Sequence, residues 1–287
     1  MNAPDLGARL LRVAEPRRRP DGTPYRSLPS RAVQQLADET AASIRQVERA
    51  ALAADVIPER YTRNMTTLSP KDQVRLLDST VCIVGTGGLG GSVAEILARI
   101  GVGRLRLVDG DHFEDSNLNR QRFAEATSMG QPKAEVARQR IADINPAVAV
   151  TACTDFLTTA NGVELIADAD IAIDCLDTLS ARRDLQGVCR RQKIPMVSAA
   201  VAGESGQLTV IFPEDKGLAA LYGDLTSATE RGAETALGNL AFAVNMLASL
   251  ECSEAIKILL HRPSNLRGRL LLFDLSDLTF EVVQLAG

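Results

Sequence analysis

Apolar and amphipathic stretches alternate along the central part of the chain. Runs in which nearly every residue is apolar predict strands at 80–84, 104–108, 148–152, 171–174 and 195–199. Stretches with apolar residues on one helical face follow these runs, at 90–100, 133–143, 161–167 and 180–192. Because strands that are buried on both faces alternate with helices in parallel sheets, the pattern predicts an α/β fold with a Rossmann-like, doubly wound and mostly parallel sheet.

The C-terminal third departs from this alternation. Strand patterns at 206–212, 270–274 and 280–283 predict an antiparallel extension of the sheet, and a helical pattern covers 239–260. Residues 213–238 form a long stretch rich in Gly, Asp and Thr. A loop of that length inside a compact domain usually serves a function.

The first 56 residues predict a small N-terminal helical appendage. The charged, turn-rich stretch 16–24 has no periodicity, so residues 1–29 are expected to form an extended or partly disordered arm. Two short amphipathic helices follow, the second with Ser43 as its expected N-cap. We therefore divide the chain into an appendage, 1–56, and a main domain, 57–287.

Composition narrows the class of protein. With 287 residues and 45% hydrophobic residues, the chain can bury the core of one large α/β domain. The net charge of −4 argues against binding nucleic acid over the whole surface. No apolar run approaches the ~20 residues of a membrane span, and no apolar signal segment opens the chain, so the cytoplasm is the expected compartment. The five cysteines lack Cys-x-x-Cys spacing, and we expect no zinc site.

A glycine-rich turn follows the first predicted strand and opens the next helix. It contains Gly85, Gly87, Gly88 and Gly90, in the strand–turn–helix context of nucleotide-binding folds. The second strand ends in Asp109, at the distance expected of a carboxylate that binds ribose hydroxyls. Asp111, two residues on, could share that role. These residues predict a bound nucleotide and leave NAD, FAD and ATP open.

Two cations and a further carboxylate favour ATP. Arg120 and Lys133 follow the ribose-binding carboxylate, where a nicotinamide would need an apolar pocket. Nucleotidyl transfer instead develops charge on phosphate oxygens, which Arg and Lys stabilise. Lys133 also opens a helix, where a cation opposes the helix dipole, so a bound anion explains it better than helix stability does. Asp177 follows a buried strand and is the kind of oxygen ligand that Mg²⁺ takes alongside substrate phosphates.

These residues give the chain a family resemblance. From about Arg60 to the C-terminus it resembles the MoeB/ThiF/HesA family, the bacterial relatives of ubiquitin-activating enzymes. The upstream segment Arg60-Tyr61-Thr62-Arg63-Asn64 is similar to the family's short arginine motif. The resemblance implies that the protein binds ATP and Mg²⁺ and adenylates the C-terminal glycine of a ubiquitin-like sulfur-carrier protein ending in Gly-Gly, with release of pyrophosphate.

The resemblance also implies a role for each matching residue. Asp109 would bind the ribose, and Asn117 and Arg120, with Gln121 beside them, would bind the phosphates. Lys133 would stabilise the α-phosphate during attack, and Asp177 would bind Mg²⁺. Arg63 would contact the phosphates bound by a neighbouring subunit. The resemblance therefore implies a homodimer with shared active sites. Thr178 is a departure, because the family usually has Asn after the metal-binding Asp.

Residues 213–240 contain no cysteine. Relatives that form a covalent intermediate with their carrier place a cysteine in this region. We therefore predict adenylation alone, with the acyl-adenylate passed to a separate sulfur or amine donor. Cys175 lies between two aspartates, which would raise the pKa of its thiol, and it is predicted to serve in packing.

Three alternatives stay open at this stage. A relative of the same fold could activate a carboxylate on a peptide or on tRNA. The helix pair around residues 36–49 resembles a helix-turn-helix, so the chain could be a nucleotide-sensing DNA-binding module, although its charge makes nucleic acid an unlikely partner. An NAD oxidoreductase is the third, but no proton donor lies near the predicted nucleotide site.

Overall fold

The computed structural model describes residues 3–223 and 232–285, with side chains from residue 6 onward. The N-terminal part contains, in chain order, α1 (Ala3–Val13), β1 (Glu15–Arg18), β2 (Pro24–Leu28), α2 (Ser30–Thr40), α3 (Ile44–Ala53) and β3 (Val56–Pro58). The strands form a small sheet in the order β1-β2-β3, antiparallel between β1 and β2 and parallel between β2 and β3. We call this unit the N-terminal module. The proposed domain boundary after residue 56 falls within β3.

The prediction of an arm over residues 1–29 is wrong. Leu10 of α1 is fully buried against the other helices of the module, which fixes α1 in place. The charged stretch forms a β-hairpin whose turn contains Asp21 and Gly22, with Gly22 at a φ of +84°. Asp-Gly between two short strands is a recognised hairpin signal, and the density of arginine and proline concealed it. The two amphipathic helices and the Ser43 cap are confirmed.

A short 3-10 helix, Glu59–Asn64, joins the module to the rest of the chain, and we call it the arginine segment. It is followed by α4 (Pro70–Asp78), which the sequence analysis did not predict. The signal was present, because Ser69 and Asp72 form a capping box and Pro70 occupies the first helical position. Only nine residues long, α4 gave too short a periodic pattern to be recognised.

An eight-stranded sheet forms the main body of the described structure. Its strands are β4 (Thr80–Val84), β5 (Arg104–Val108), β6 (Ala149–Cys153), β7 (Ile171–Asp174), β8 (Met196–Ala202), β9 (Ser205–Ile211), β10 (Arg269–Asp274) and β11 (Thr279–Gln284). Their spatial order is β11-β10-β9-β8-β7-β4-β5-β6. Strands β8, β7, β4, β5 and β6 are parallel to one another. Strands β9, β10 and β11 continue the sheet beyond β8, and each pairs with its neighbour in antiparallel fashion. The predicted α/β fold with an antiparallel extension is confirmed.

Helices cover both faces of the parallel strands, as a doubly wound sheet requires. One face carries α5 (Gly88–Ile100), α6 (Lys133–Ile144) and α11 (Ala241–Leu259), and the other carries α7 (Gly162–Leu165) and α8 (Leu179–Gln192). Within the predicted loop 213–238 lie two short helices, α9 (Leu218–Tyr222) and α10 (Glu234–Leu237), while residues 224–231 lie outside the described residues. Among the helices that the structure describes, none is both long and apolar enough to cross a membrane.

Strand order places the predicted site. In the sheet, β5 and β6 lie on one side of β4, and β7 and β8 lie on the other side, so the order of the strands reverses at β4. Open α/β sheets bind ligands in the crevice at the carboxyl ends of the strands at such a point. The glycine turn, Asp109 and Asp177 follow β4, β5 and β7, and therefore meet at this edge.

Candidate active site

The glycine turn is shaped by two positions where only glycine fits. Gly85 has a φ of +88°, and a Cβ there would lie 2.5 Å from the carbonyl oxygen of Cys175. A Cβ at Gly90 would lie 1.7 Å from the carbonyl oxygen of Gly85, so this residue lets α5 start close against the turn. Gly87 and Gly88 face the crevice directly. The turn therefore leaves backbone exposed at the N-terminal end of α5, where phosphate groups bind favourably.

A cavity of about 370 Å³ lies above this turn. It brings together most of the residues predicted from the sequence: Gly85, Gly87, Gly88, Asp109, Asp111, Arg120, Gln121, Lys133 and Asp177. Gly90, Asn117 and Arg63 do not line it. The individual roles of these residues remain predictions, and their contacts indicate what each is able to do.

Asp109 is held in a fixed orientation at the cavity wall. Its Oδ2 accepts hydrogen bonds from the backbone nitrogen of Thr86, at 2.6 Å, and from the Thr86 hydroxyl, at 3.0 Å. Its Oδ1 accepts one from the backbone nitrogen of Asp111, at 2.9 Å. A carboxylate accepts about four hydrogen bonds, so lone pairs remain for the hydroxyls of a ribose.

Lys133 is almost buried and paired with a carboxylate. Its Nζ lies 3.1 Å from Asp111 Oδ2, and the side chain of Lys133 is only 9% exposed against 55% for Asp111. The backbone nitrogen of Lys133 also donates to the Asp111 carbonyl, at 2.9 Å. Asp111 is thus the counter-ion of Lys133, a role that the sequence did not suggest. An entering phosphate could replace Asp111, because the carboxylate is free to turn toward solvent.

Arg120 and Gln121 line the side of the cavity next to the glycine turn. The Arg120 guanidinium donates to the Ser116 carbonyl, at 3.0 Å, and to Asn119 Oδ1, at 2.8 Å. Gln121 is 8% exposed, and its buried Oε1 has no hydrogen-bond partner within the described part of the chain. A buried polar atom without a partner costs about 1–3 kcal/mol, so Gln121 is ready to accept a donor from a ligand.

Asn117 and Arg63 lie outside the cavity wall. Asn117 is 7% exposed, and its Oδ1 accepts a hydrogen bond from the backbone nitrogen of Glu114, at 3.1 Å, so in this structure it holds the turn that carries Arg120. Arg63 is exposed in the arginine segment. Tyr61 of that segment packs against Gly101, at the end of α5 opposite to the glycine turn. Because α5 has 13 residues, a distance of about 20 Å separates its two ends.

A buried ion pair fixes the loop that carries Asp177. Asp174 is fully buried, and its Oδ2 accepts from Arg182 Nη1, at 3.1 Å, and from Ser198 Oγ, at 2.6 Å. Arg182 also donates to the carbonyl of Leu176, directly before Asp177. The Asp177 carboxylate lines the cavity and makes no hydrogen bond or ion pair with another described residue. Such a carboxylate fits Mg²⁺, which takes one or two carboxylates, several waters and substrate phosphates.

The cysteines offer no reactive thiol near this cavity. Burial raises the pKa of Cys175 well above its ordinary value, and the charges of Glu251 and Asp174 act in the same direction. The thiol is therefore protonated, in agreement with a packing role. No group of three potential metal ligands occurs among the described residues, and the absence of zinc remains a prediction.

Phe156 is a cavity residue that the sequence analysis missed. It follows β6, lines the cavity and is 64% exposed, a large value for an aromatic side chain. Its ring rests against Gly110, where a Cβ would lie 2.6 Å from the ring, next to the predicted ribose ligand Asp109. An exposed ring at this position is suited to stack on the planar base of a nucleotide. Only 3% of the residues are aromatic, so one four residues beyond the end of the predicted strand 148–152 was a usable signal.

We expect Phe156→Ala to raise the KM for ATP about tenfold, because stacking on a base contributes roughly 1–3 kcal/mol. The change in kcat should be small, because the base lies away from the reacting phosphate. Steady-state kinetics with varied ATP measure both. Val163→Ala, at another exposed apolar residue outside the cavity, is the control. An unchanged KM in Phe156→Ala would contradict this placement of the base.

A second cavity of about 360 Å³ adjoins the first and shares Asp177 and Arg182 with it. Its walls come mainly from β8, β9 and β10, with the small residues Ala200, Ala202, Ser205 and Gly206 beside Phe273 and Tyr222. The Tyr222 hydroxyl accepts a hydrogen bond from Gln207 Nε2. Tyr222 therefore both packs against β9 and lines the cavity. Small side chains leave room for an extended chain that leads toward Asp177.

Comparisons with known proteins agree with this geometry. The model of the ThiF family matches residues 61–287. The SAMP-activating enzyme E1 of Haloferax volcanii is 35% identical over 227 residues, which cover 78% of this chain and 84% of that protein. The sulfur carrier protein ThiS adenylyltransferase of Escherichia coli is 35% identical over 221 residues, 75% of this chain and 86% of that protein.

A solved structure shows the same fold with a different named substrate. The crystal structure of the Escherichia coli tRNA N6-threonylcarbamoyladenosine dehydratase has a TM-score of 0.61 and 26% identity, over 71% of this chain and 95% of that one. The match to the family begins inside the arginine segment and covers the glycine turn, both cavities and the antiparallel strands. These comparisons identify an adenylyltransferase, and the chain belongs to the ThiF family.

Proposed function

We propose that this adenylyltransferase uses MgATP to activate the C-terminal glycine of a ubiquitin-like sulfur-carrier protein. The observation that carries the proposal is the adjoining pair of cavities, one lined with the groups that a nucleotide requires and one with small residues that suit an extended tail. Asp177 lies where the two meet. The reacting carboxylate and the α-phosphate of ATP would therefore meet beside it.

The residues of the first cavity account for the chemistry. A carboxylate oxygen of the carrier attacks the α-phosphorus, an acyl–phosphate bond forms, and the bond to pyrophosphate breaks. Lys133 stabilises the negative charge that develops on the phosphate oxygens, and Arg120 holds the phosphates in place. Asp177 would hold a Mg²⁺ ion, which supplies positive charge to the leaving pyrophosphate when it is bound. Asp109 orients the ribose.

Two relatives support a protein substrate. One is named for activating SAMP and the other for adenylating the sulfur carrier ThiS. The second cavity supports the same conclusion, because a Gly-Gly tail has no side chains and suits a cavity whose wall includes the small residues Ala200, Ala202 and Ser205. A sulfur-transfer pathway, such as that of thiamine or of a molybdopterin or tungstopterin cofactor, would consume the activated carrier.

ATP–pyrophosphate exchange tests the proposal. Purified protein should exchange labelled pyrophosphate only with Mg²⁺ and a ubiquitin-like carrier ending in Gly-Gly, and removal of the last two glycines should abolish exchange. Cys175→Ser is the control and should exchange at the wild-type rate, without a reducible adduct on a gel. Equal exchange without any carrier would contradict a protein substrate. Exchange that required tRNA or a peptide would favour the second candidate, which the dehydratase of the same fold supports.

The position of the arginine segment supports a homodimer. Tyr61, two residues before Arg63, packs at the far end of α5, and the helix length of about 20 Å between that end and the glycine turn is too long for one arginine side chain to bridge. We propose that Arg63 acts on the phosphates bound by a second subunit, as an arginine finger does. A two-fold axis would then create two equivalent shared sites.

Mixing two inactive variants tests this arrangement. Arg63→Ala and Asp177→Ala should each be inactive, and an equal mixture allowed to exchange subunits should recover about a quarter of wild-type activity, since half of the dimers are mixed and each holds one complete site. Exchange activity after mixing is the measurement. Background activity in the mixture, or a monomer by light scattering, would contradict the proposal.

The structure weighs against the DNA-binding alternative. The second helix of the predicted helix-turn-helix is α3, whose residues Val47, Glu48, Ala51 and Leu52 are buried. Arg45 of this helix donates to the Gly103 carbonyl, at 2.8 Å, so α3 faces the main body. The buried face of α3 is therefore not available to the major groove. Deletion of residues 1–56 should therefore remove no salt-sensitive DNA binding.

A further inference from the structure

The N-terminal module contacts the arginine segment through two polar side chains. Ser27 of β2 donates to the Glu59 carboxylate. Glu48 of α3 lies with its Oε1 2.9 Å from Arg60 Nε. A small apolar cluster surrounds these contacts and is formed by Leu52, Ile57, Tyr61, Met65 and Leu77. The module thus packs on the segment directly, in addition to being joined to it by the chain.

Glu48 is the unusual member of this interface because it is fully buried. A buried carboxylate is costly unless a cation accompanies it, and Arg60, whose side chain is 21% exposed, is that cation. Burial raises the pKa of Glu48, while the charge of Arg60 and the hydroxyl of Tyr61 oppose the rise.

The other side of the arginine segment is fixed to the main body by Asn145, at the end of α6. Arg60 Nη1 donates to Asn145 Oδ1, at 2.8 Å. Asn145 Nδ2 donates to the Tyr61 hydroxyl, at 3.1 Å, and to the Ala98 carbonyl of α5, at 2.8 Å. Glu48 and Asn145 therefore hold the Arg60 guanidinium from two sides.

Arg63 follows Arg60 by three residues, which is one turn of a 3-10 helix. The position of Arg60 therefore determines where Arg63 lies. We infer that Glu48 is a positioning residue for Arg63, and that the N-terminal module sets the arginine segment in the place that a second subunit requires. This inference rests on the proposed action of Arg63 between subunits.

Two single substitutions to Gln on the same helix test the inference. Glu48→Gln should lower kcat for carrier-dependent exchange about ten- to a hundredfold with little change in the KM for ATP, because small displacements of a catalytic group have effects of this size. Arg49→Gln is the matched control. Arg49 pairs with Asp78 of α4 at 2.8 Å, in an exposed contact that does not involve the arginine segment, so its loss should leave kcat unchanged.

Subunit mixing separates positioning from a loss of stability. With Asp177→Ala in excess, each Glu48→Gln subunit gains a partner whose Arg63 is correctly placed, and activity per Glu48→Gln subunit should return to that of an intact site. With Arg63→Ala in excess, activity should stay low. Rescue by Arg63→Ala instead of Asp177→Ala would overturn the inference, because it would place the defect in the nucleotide cavity of the Glu48→Gln subunit.

Two further measurements cover the case in which Glu48→Gln does not fold and the case in which Arg63 does not act between subunits. Arg60→Gln breaks the same contact from its partly exposed end and should reproduce the mixing pattern even if Glu48→Gln does not fold. Wild-type kcat in a folded Arg60→Gln protein would also overturn the inference. A mixture of Arg63→Ala with Asp177→Ala that shows no recovery would instead refute the action of Arg63 between subunits, which distinguishes that failure from a failure of Glu48.

Discussion

Lys133→Ala is expected to lower kcat about a hundred- to a thousandfold and to change the KM for ATP much less. Lys133 already pairs with Asp111 before the nucleotide binds. When the phosphate of bound ATP takes the place of the Asp111 carboxylate, Lys133 exchanges one anionic partner for another, so the gain in binding free energy is small. Charge on the phosphate grows during attack, and only then does the nearly buried ammonium group give a net advantage. An interaction that strengthens in the transition state affects turnover more than binding.

Carrier-dependent exchange at varied ATP concentration, with direct titration of ATP binding, measures the two effects separately. Lys71→Ala is the control, because Lys71 is an exposed lysine of α4 on a helix outside both cavities. A loss of ATP affinity as large as the loss of kcat would show that Lys133 serves binding instead of the chemical step.

Gly90→Ala should abolish ATP binding and lower the free energy of unfolding by about 3 kcal/mol or more. The added methyl group would lie 1.7 Å from the Gly85 carbonyl oxygen. That oxygen cannot move easily, because the nitrogen of Gly85 donates to the Val108 carbonyl, at 2.8 Å. Either α5 moves away from the sheet or the turn opens, and both changes disrupt the close packing of α5 against the turn.

Gly91→Ala is a closely matched control. It adds the same methyl group one residue further along α5, where the nearest atoms would lie at 3.4 Å. Alanine also favours a helix over glycine by up to about 1 kcal/mol, so the thermal midpoint should stay constant or rise. Thermal unfolding and ATP titration of the two variants provide the comparison. Equal behaviour of both variants would contradict the close approach at Gly90.

The central sheet was predictable because its signals are local. Strands such as 80–84 and 171–174 are mostly apolar, and the glycine turn joins one of them to a helix, so pattern alone located the edge where Asp109 and Asp177 meet. The alternation of strands and helices also predicted that nucleotide-binding residues would lie at this edge of the sheet. These features depend on residues that are neighbours in the chain.

The features that were missed depend on contacts between distant residues. Leu10 fixes α1 in place by packing against α2 and α3, whose residues are distant from it in the chain. Phe156 faces the nucleotide cavity because Gly110, after a different strand, leaves room for its ring. Likewise, the pairing of Glu48 with Arg60 joins two modules and has no local signature. The unpaired oxygen of Gln121 is visible only when every neighbour has been placed.

The division of the sheet into parallel and antiparallel strands has a consequence for how this fold diversifies. Parallel strands β4 to β7 carry the loops that hold the nucleotide, whereas β8, β9 and β10 carry most of the neighbouring cavity for the group to be activated. Mutations on β9 and β10 can reshape the acceptor side without touching the nucleotide cavity, which these two strands do not line. Evolution could therefore exchange one carboxylate substrate for another while the adenylation step stayed intact, and proteins named for a sulfur carrier and for tRNA share this architecture.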